Sequence, residues 1–323
     1  MDLSTPDPQF VPFALRAAKT IAAEGGALDD TQRAMIAIAQ RLILKTEVDV
    51  DALPPISPEE LDAVLPPVPA GRLRLVRALV LVTFVRREVT PAEARAVDRF
   101  ARALGVEEHA VENLRRFAEG RRALLRFDVM RRAFTGTAMA RAVESDGALA
   151  LIKSIAARAG VYEDEREAAR WDKLASYPEG SLGHALSAYY EKNGFPVPGR
   201  RHSLPAFAVV HDLCHVLSGY GVDGQGEVEV VSFQAGFMRE DPMSTLLFIA
   251  LISQHGVRLV SIAGARTGML DDPALLERAV RAARRGAAVN TDLFDHWDFW
   301  PELEKPLEEV RRSLGVPPPD AAS

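Results

Sequence analysis

Runs that alternate apolar and polar side chains between turn residues are scarce in this chain. A half-buried strand needs that alternation, because successive side chains point to opposite faces. Ala, Leu, Arg and Glu dominate instead, and all four are strong helix formers. The fold class that follows is all-α. Helix starts are written into the sequence. Ser57-Pro58-Glu59-Glu60 sets a capping hydroxyl, a proline in the first position and acids in the first turn. Thr90-Pro91-Ala92-Glu93 repeats the device, with Glu93 placed to complete a capping box. Helices are expected over 11–26, 29–45, 71–87, 107–124, 136–157, 162–174, 183–193, 206–218, 227–239, 243–255, 273–289 and 301–314.

One of these helices carries an unusual polar set. His211-Asp212-Leu213-Cys214-His215 places two histidines four residues apart, on one helical face and about one turn from each other. Gly219, Gly221, Gly224 and Gly226 follow, and then Glu227. The glycines let the chain reverse sharply, so that the start of the next helix faces the histidines. Two imidazoles and a carboxylate so arranged form a mixed nitrogen and oxygen site for a divalent metal. Asp212 lies about 100° around the helix from His211. It either ligates or orients a ligand or a bound water.

Two familiar metal patterns fit less well. Zincin proteases need Glu directly after the first His, and here that residue is Asp212. HD-type phosphohydrolases share a His-Asp pair but also need an upstream His and a distant Asp. His184 and His202 are the upstream candidates, and no downstream Asp stands out. That hydrolase chemistry is kept as an alternative. Cys214 points away from the histidine face and reads as a small buried apolar residue. His255 and His296 show no ligand pattern and are expected at the surface or as caps.

Bulk properties narrow the setting. The net charge of −6 argues against a general nucleic-acid binder. Residues 71–132 hold fifteen Arg against eight acids, which suits either a solvated helical surface or contact with anionic head groups. With one cysteine no intramolecular disulfide forms, and a reducing cytoplasm is the simplest compartment. The first ten residues have neither a basic n-region nor an apolar core, so no signal peptide is expected. The longest apolar runs, 78–85 and 246–253, fall far short of the ~20 residues of a spanning helix. The expected location is the cytoplasm, peripheral on the inner face of its membrane.

Taken together, His211-Asp212-x-x-His215, eleven residues and Glu227 resemble the signature of the ubiquinone (coenzyme Q) biosynthesis protein Coq-four family. An upstream box, Pro178-Glu179-Gly180-Ser181-Leu182-Gly183, is similar to that family's Pro-x-Gly-Ser/Thr-Leu-Gly. So is the close of the chain, where Trp297 and Trp300 precede Pro306-Leu307-Glu308-Glu309-Val310-Arg311-Arg312-Ser313-Leu314-Gly315. The resemblance covers residues 130–316. Before the motif, Phe207-Ala208-Val209-Val210 depart from the charged or aromatic residues common in the family.

The resemblance implies an all-helical domain that binds a divalent metal through His211, Asp212, His215 and Glu227. Zinc is the first expectation, with iron, manganese or magnesium as alternatives. It also implies removal of the C1 carboxylate from polyprenylated hydroxybenzoate intermediates of ubiquinone, with oxidation at that carbon, at a membrane face beside other ubiquinone-pathway enzymes. Asp212 and Glu227 are the candidates for proton exchange. A prenyl or other isoprenoid tail needs an apolar groove, for which Leu247 and Leu251 of the 243–255 helix are candidates, with His184 as a further pocket residue. The rival reading is a non-catalytic isoprenoid-binding scaffold that uses the metal structurally. Trp297 and Trp300 read as interface aromatics or as plain packing.

Residues 1–129 form the expected N-terminal helical domain. Its apolar helix, the connection through Thr90-Pro91 and the amphipathic helix that follows resemble TerB-like helical domains. Arg86-Arg87 stand at the turn where those domains carry an acidic step, so packing or docking is expected there rather than metal binding. Residues 317–323 read as a disordered tail. Homo-oligomer formation is left open.

Overall fold

The helix starts lie where the capping residues put them. Ser57 Oγ accepts from Glu60 N at 3.0 Å. Thr90 Oγ1 accepts from Glu93 N at 3.1 Å, and Glu93 Oε2 accepts from Thr90 N at 2.9 Å, closing the capping box. The computed structural model describes residues 1–259, 264–295 and 297–318, with the side chains of residues 145 and 146 outside the description. His296 and residues 319–323 of the expected tail lie outside it.

Among the described residues there is no strand, only two isolated bridges. In chain order the helices are α1 (Val11–Ala23), α2 (Asp30–Ala39), α3 (Pro58–Val64), α4 (Pro69–Phe84) and α5 (Pro91–Ala103). They continue with α6 (His109–Ala118), α7 (Arg122–Arg132), α8 (Phe134–Arg158), α9 (Glu165–Asp172) and α10 (Leu182–Asn193). The last are α11 (Val209–Ser218), α12 (Gly224–Phe237), α13 (Pro242–Ser253), α14 (Pro273–Ala287) and α15 (Leu307–Leu314). The fold is all-α, as the composition requires.

Several boundaries differ from expectation for local reasons. The helix expected over 107–124 is two helices, α6 and α7, because Gly120 takes φ 72° and ends the first. The helix expected over 29–45 closes in a π turn at Gln40–Leu44. The one expected at 136–157 begins earlier, at Phe134, and breaks at Gly147. In the last, expected over 301–314, a 3₁₀ turn at Trp300–Glu302 precedes the regular helix from Leu307.

The buried apolar side chains form a connected cluster that runs from Val11 to Val316. The expected boundary at 129/130 lies inside α7, and polar contacts cross between the halves. Gln254 Nε2 donates to Val85 O at 2.8 Å, and His255 Nε2–H donates to Phe84 O at 2.8 Å. Arg41 pairs with Glu277, and Arg87 with Asp271.

The centre of the C-terminal half is α12, packed against α11, α13 and α14. Its approach to α14 is backbone to backbone: a Cβ at Gly286 would stand 1.9 Å from Phe233 O, and one at Gly236 2.3 Å from Ala283 O. Any larger residue at either position forces the helices apart. No helix among the described residues is long and apolar enough to cross a membrane.

Candidate metal centre

The centre is built where α11 hands over to α12. A 3₁₀ turn, Ala206–Ala208, leads into α11, which carries His211 and His215. The glycine-rich turn then ends at Asp223, whose Oδ1 accepts from Gly226 N at 2.7 Å and caps α12. Glu227 therefore sits in the first turn of α12, where the helix dipole favours a carboxylate. The turn is tight enough that a Cβ on Gly226 would lie 2.1 Å from Gly221 O. Only glycine lets the chain fold back this closely and bring Glu227 onto the histidines.

His211, His215 and Glu227 converge, with one ligand atom from each lying within 4.8 Å of the others. The two Nε2 atoms are 3.3 Å apart. His211 Nε2 stands 3.5 Å from Glu227 Oε2, and His215 Nε2 stands 3.4 Å from Glu227 Oε1. Ligands at about 2.0–2.1 Å from a tetrahedral zinc stand about 3.3–3.4 Å from one another. The nitrogen–nitrogen edge matches that figure.

The rings are oriented from behind. His215 Nδ1–H donates to the backbone carbonyl of Tyr220 at 3.1 Å, in the glycine-rich turn. A carbonyl only accepts, so this bond fixes the proton on Nδ1 and leaves the Nε2 lone pair facing Glu227. Behind His211 stands Gln234 of α12, whose Nε2 lies 2.8 Å from Nδ1. Gln234 Oε1 is buried without a partner. The two ends of an amide have nearly the same shape, and turned over, Oε1 accepts from Nδ1–H and frees the Nε2 of His211 as well. The orphaned oxygen thus fits the tautomer a metal requires. Phe134 stacks on His211 at 5.3 Å between centroids, and Tyr189 stacks on His215 at 5.7 Å.

Electrostatics couple the three groups. Burial pushes the Glu227 carboxyl up, but the bonds and charge from His211 and His215 outweigh it and bring it down to about 2. Burial likewise works against a charged His211, yet Glu227 raises its pKa above the usual imidazole value. The donor set is two nitrogens and a carboxylate, the chemistry zinc accepts from protein with a position to spare.

Asp212 stands outside this group. It is buried, and it turns toward α10 instead. Its Oδ2 accepts from Tyr190 OH at 2.9 Å, and its Oδ1 lies 3.4 Å from Tyr189 OH. Burial raises its pKa, outweighing the nearby histidines and the Tyr190 bond, which lower it. The structure therefore brings together three of the four residues expected as ligands. The fourth occupies the adjacent helical face, as its position one residue after His211 dictates.

The other expected residues are scattered. Leu247 and Leu251 are fully buried in the core and line neither the cavity beside their helix nor the one at the start of α11. From the same helix, Leu246, Ile249 and Ala250 do line a small apolar cavity of about 110 Å³. His184, half-buried in the first turn of α10, is not part of the metal group. Cys214 is buried, and burial raises its thiol pKa, as suits an inert core residue. Glu229 pairs with Arg278 at 3.4 Å. His255 bonds to carbonyls at the C-terminal end of α4, between the rings of Phe84 and Phe117.

Sequence reasoning missed Tyr189, Tyr190, Gln234 and Phe134. Their signal was indirect. The box at 178–183 is where α10 begins: Ser181 Oγ accepts from His184 N at 3.2 Å and caps the helix that carries both tyrosines.

A cavity of about 680 Å³ reaches the start of α11 at Ala206, Phe207 and Val210, and none of the three donors lines it. Val210 and Phe207, just ahead of His211, form part of its wall, as do Trp171, Trp297, Phe299 and Trp300. Phe134 touches both the His211 ring and Phe294 in that wall. The lining is balanced in charge, with Arg141, Lys153 and Arg170 against Asp164, Glu167 and Asp298; the guanidinium carbon of Arg170 lies 3.3 Å from the centroid of Trp300. Compared with known proteins, the chain matches no family model and no curated protein.

Proposed function

We propose that this chain is a metal-dependent enzyme of the ubiquinone-pathway type, which removes the C1 carboxylate of a polyprenylated hydroxybenzoate. His211, His215 and Glu227 hold a divalent ion, zinc first. The observation that carries this reading is the three-donor group with Asp212 turned away from it. Catalytic zinc sites take three protein ligands and keep a position open, whereas structural sites close all four. This favours a catalyst over a scaffold with a structural metal. The hydrolase alternative needs a further His and Asp at the ion, and neither belongs to the group among the described residues.

When bound, the ion supplies Lewis acidity that stabilises negative charge developing as CO₂ leaves. The chain's own residues do the rest. The cavity's size suits one aromatic ligand. Its aromatic wall suits a ring or prenyl unit. Phe134, stacked on the His211 ring, keeps water from that side of it. In the step itself the C1–carboxylate bond breaks, its electron pair stays on the ring, and a proton returns to C1. Asp212, bonded to Tyr190, is the group beside the centre that holds a proton more readily than an ordinary carboxylate. The oxidation coupled to this step in the resembling family needs an external oxidant.

A membrane-face location is supported by α8. Leu149, Ile152 and Ile155 are exposed on one stripe, and residues 148–161 carry Lys153 and Arg158 with no acid. Residues 1–129, which resemble TerB-like domains, pack or dock in this reading.

The test is CO₂ release from a prenylated 4-hydroxybenzoate by the zinc-loaded chain and by His211→Ala. Turnover by the first alone is the expected result. Full zinc occupancy without turnover would move the reading to the scaffold.

A further inference from the structure

The C-terminal turn of α11 is held by an unusual arrangement. A helix leaves its last four carbonyls without intrahelical partners. Here all four are accounted for. His215 O accepts from Gly219 N at 2.8 Å, with Gly219 in the left-handed conformation at φ 81°. Val216 O accepts from Arg311 Nη2 and Leu217 O from Arg311 Nε, both at 2.9 Å. Ser218 O accepts from both terminal nitrogens of Arg285 at 3.2 Å.

These arginines come from far along the chain, Arg285 from α14 and Arg311 from α15. Arg285 is buried, and its hydrogen bonds go to carbonyls, Ser218 O and Pro317 O. Its guanidinium carbon lies 5.0 Å from the centroid of Tyr220 and 6.0 Å from that of Phe233. Tyr220 is the residue whose carbonyl fixes the His215 tautomer. The two cations also oppose the negative end of the helix dipole, which favours them there. A planar fork that spans two successive carbonyls sets the rotation of the last turn, and with it the direction of the His215 ring.

We propose that Arg311 and Arg285 are positioning residues for the metal centre: they clamp the last turn of α11, Arg285 also lies over the ring of Tyr220, and so they aim His215 Nε2. This rests on the metal-binding reading above. It assigns the Pro306–Gly315 segment a task at a site it does not line. Outer-shell partners that orient a ligating histidine typically change metal affinity by about 10- to 100-fold.

The experiment measures zinc affinity of the full chain by competition with a chelator, using zinc ion alone as the probe. Arg311→Ala is expected to bind zinc about 10- to 100-fold more weakly. Arg311→Lys should fall between, because an ammonium lacks the fork that spans two carbonyls. Val310→Ala is the control for stability: Val310 is fully buried on the same helix and has no contact with α11 carbonyls among the bonds above. It should lower the thermal midpoint while leaving zinc affinity near wild type. In the zinc-free chain, nitrogen NMR of His215 should show loss of the Nδ1–H tautomer in Arg311→Ala and its retention in Val310→Ala. Should Arg311→Ala not fold, Arg311→Lys and Arg285→Lys carry the same test. Wild-type affinity and tautomer in the arginine variants would overturn the proposal. So would an affinity loss in Val310→Ala equal to that in Arg311→Ala. A wild-type chain that retains no zinc would overturn the metal reading beneath it.

Discussion

Helices α11 and α13 are both short, both apolar by composition and both largely buried, yet they do different things. In α13 every residue but Leu246 is buried; two of its three polar side chains are absorbed locally, and the third, Thr245, accepts from Phe134 N at 3.0 Å. Ser253 donates to Ile249 O at 2.7 Å, and Ser244 bonds to its capping Asp241. In α11 Ser218 bonds within the helix, but Asp212 and both histidines find partners on other elements: Tyr190 for Asp212, the Tyr220 carbonyl for His215, and Gln234 and Glu227 for His211. Burial of polar groups is costly unless each is satisfied. A helix that satisfies them through neighbours, with donor atoms converging on one point, has been shaped around that point. Apolar content alone does not separate the two.

The sharpest way to break this contrast is to remove one ligand. His215→Ala should lose zinc by more than the about 100-fold of an outer-shell change, read as metal content after dialysis. The same truncation on α13 should do the reverse. Leu247→Ala should cost about 2–5 kcal/mol of stability in denaturant unfolding and leave zinc affinity little changed. An α13 variant that lost zinc as completely as His215→Ala would erase the distinction.

A smaller effect tests the face of α11 turned away from the metal group. Tyr190→Phe strips a buried carboxylate of its 2.9 Å donor, which should cost about 1–3 kcal/mol. Zinc should still bind at one per chain, because Asp212 is not in the donor group.

The smallest effect is the pH dependence of the zinc-free chain. The Glu227 pKa falls from 4.5 to about 2, so its contribution is present above pH 4.5 and is lost as pH falls toward 2. The His211 pKa is raised from 6.5, so its contribution is full below pH 6.5 and is lost as pH rises through the raised value. The pair therefore stabilises most between pH 4.5 and 6.5. About a third of the Glu227 side chain is open to water, which screens the pair to roughly 1 kcal/mol. The stability profile of Glu227→Gln should lack the wild-type fall below pH 4.5 and the fall that His211 adds above pH 6.5. A wild-type profile that also lacks both would show that the three groups do not interact as the geometry has them.

Much of this was legible in the sequence. Capping residues gave the helix starts at Ser57 and Thr90, and the i,i+4 histidines with a glycine-rich reversal gave the three converging groups. What stayed hidden were long-range partners. Nothing local ties Tyr190 to Asp212 or Gln234 to His211, because each pair meets only when two helices pack.

The two flanking motifs show the same limit. The box at 178–183 and the close at 306–315 read as separate features, but the box bonds to the start of the close and to the residues just before it. Leu182 N donates to Lys305 O at 2.9 Å, Gly183 N to Leu303 O at 2.7 Å, and Leu307 N to Gly180 O at 2.9 Å. One then starts α10, whose Tyr190 bonds to Asp212, and the other leads to the helix that caps α11. Leu247 and Leu251 went the other way. Their spacing suited a groove, but an apolar helix face looks the same in sequence whether it lines a cavity or fills a core.

The central claim is a centre with three protein ligands and one open position. Zinc X-ray absorption on the chain loaded with one equivalent tests it most directly. The account predicts four-coordinate zinc with two imidazoles, one carboxylate and one exchangeable solvent oxygen, in a shell unaltered by Asp212→Asn. A shell closed by four protein ligands, or a chain that leaves the zinc in solution, would contradict it.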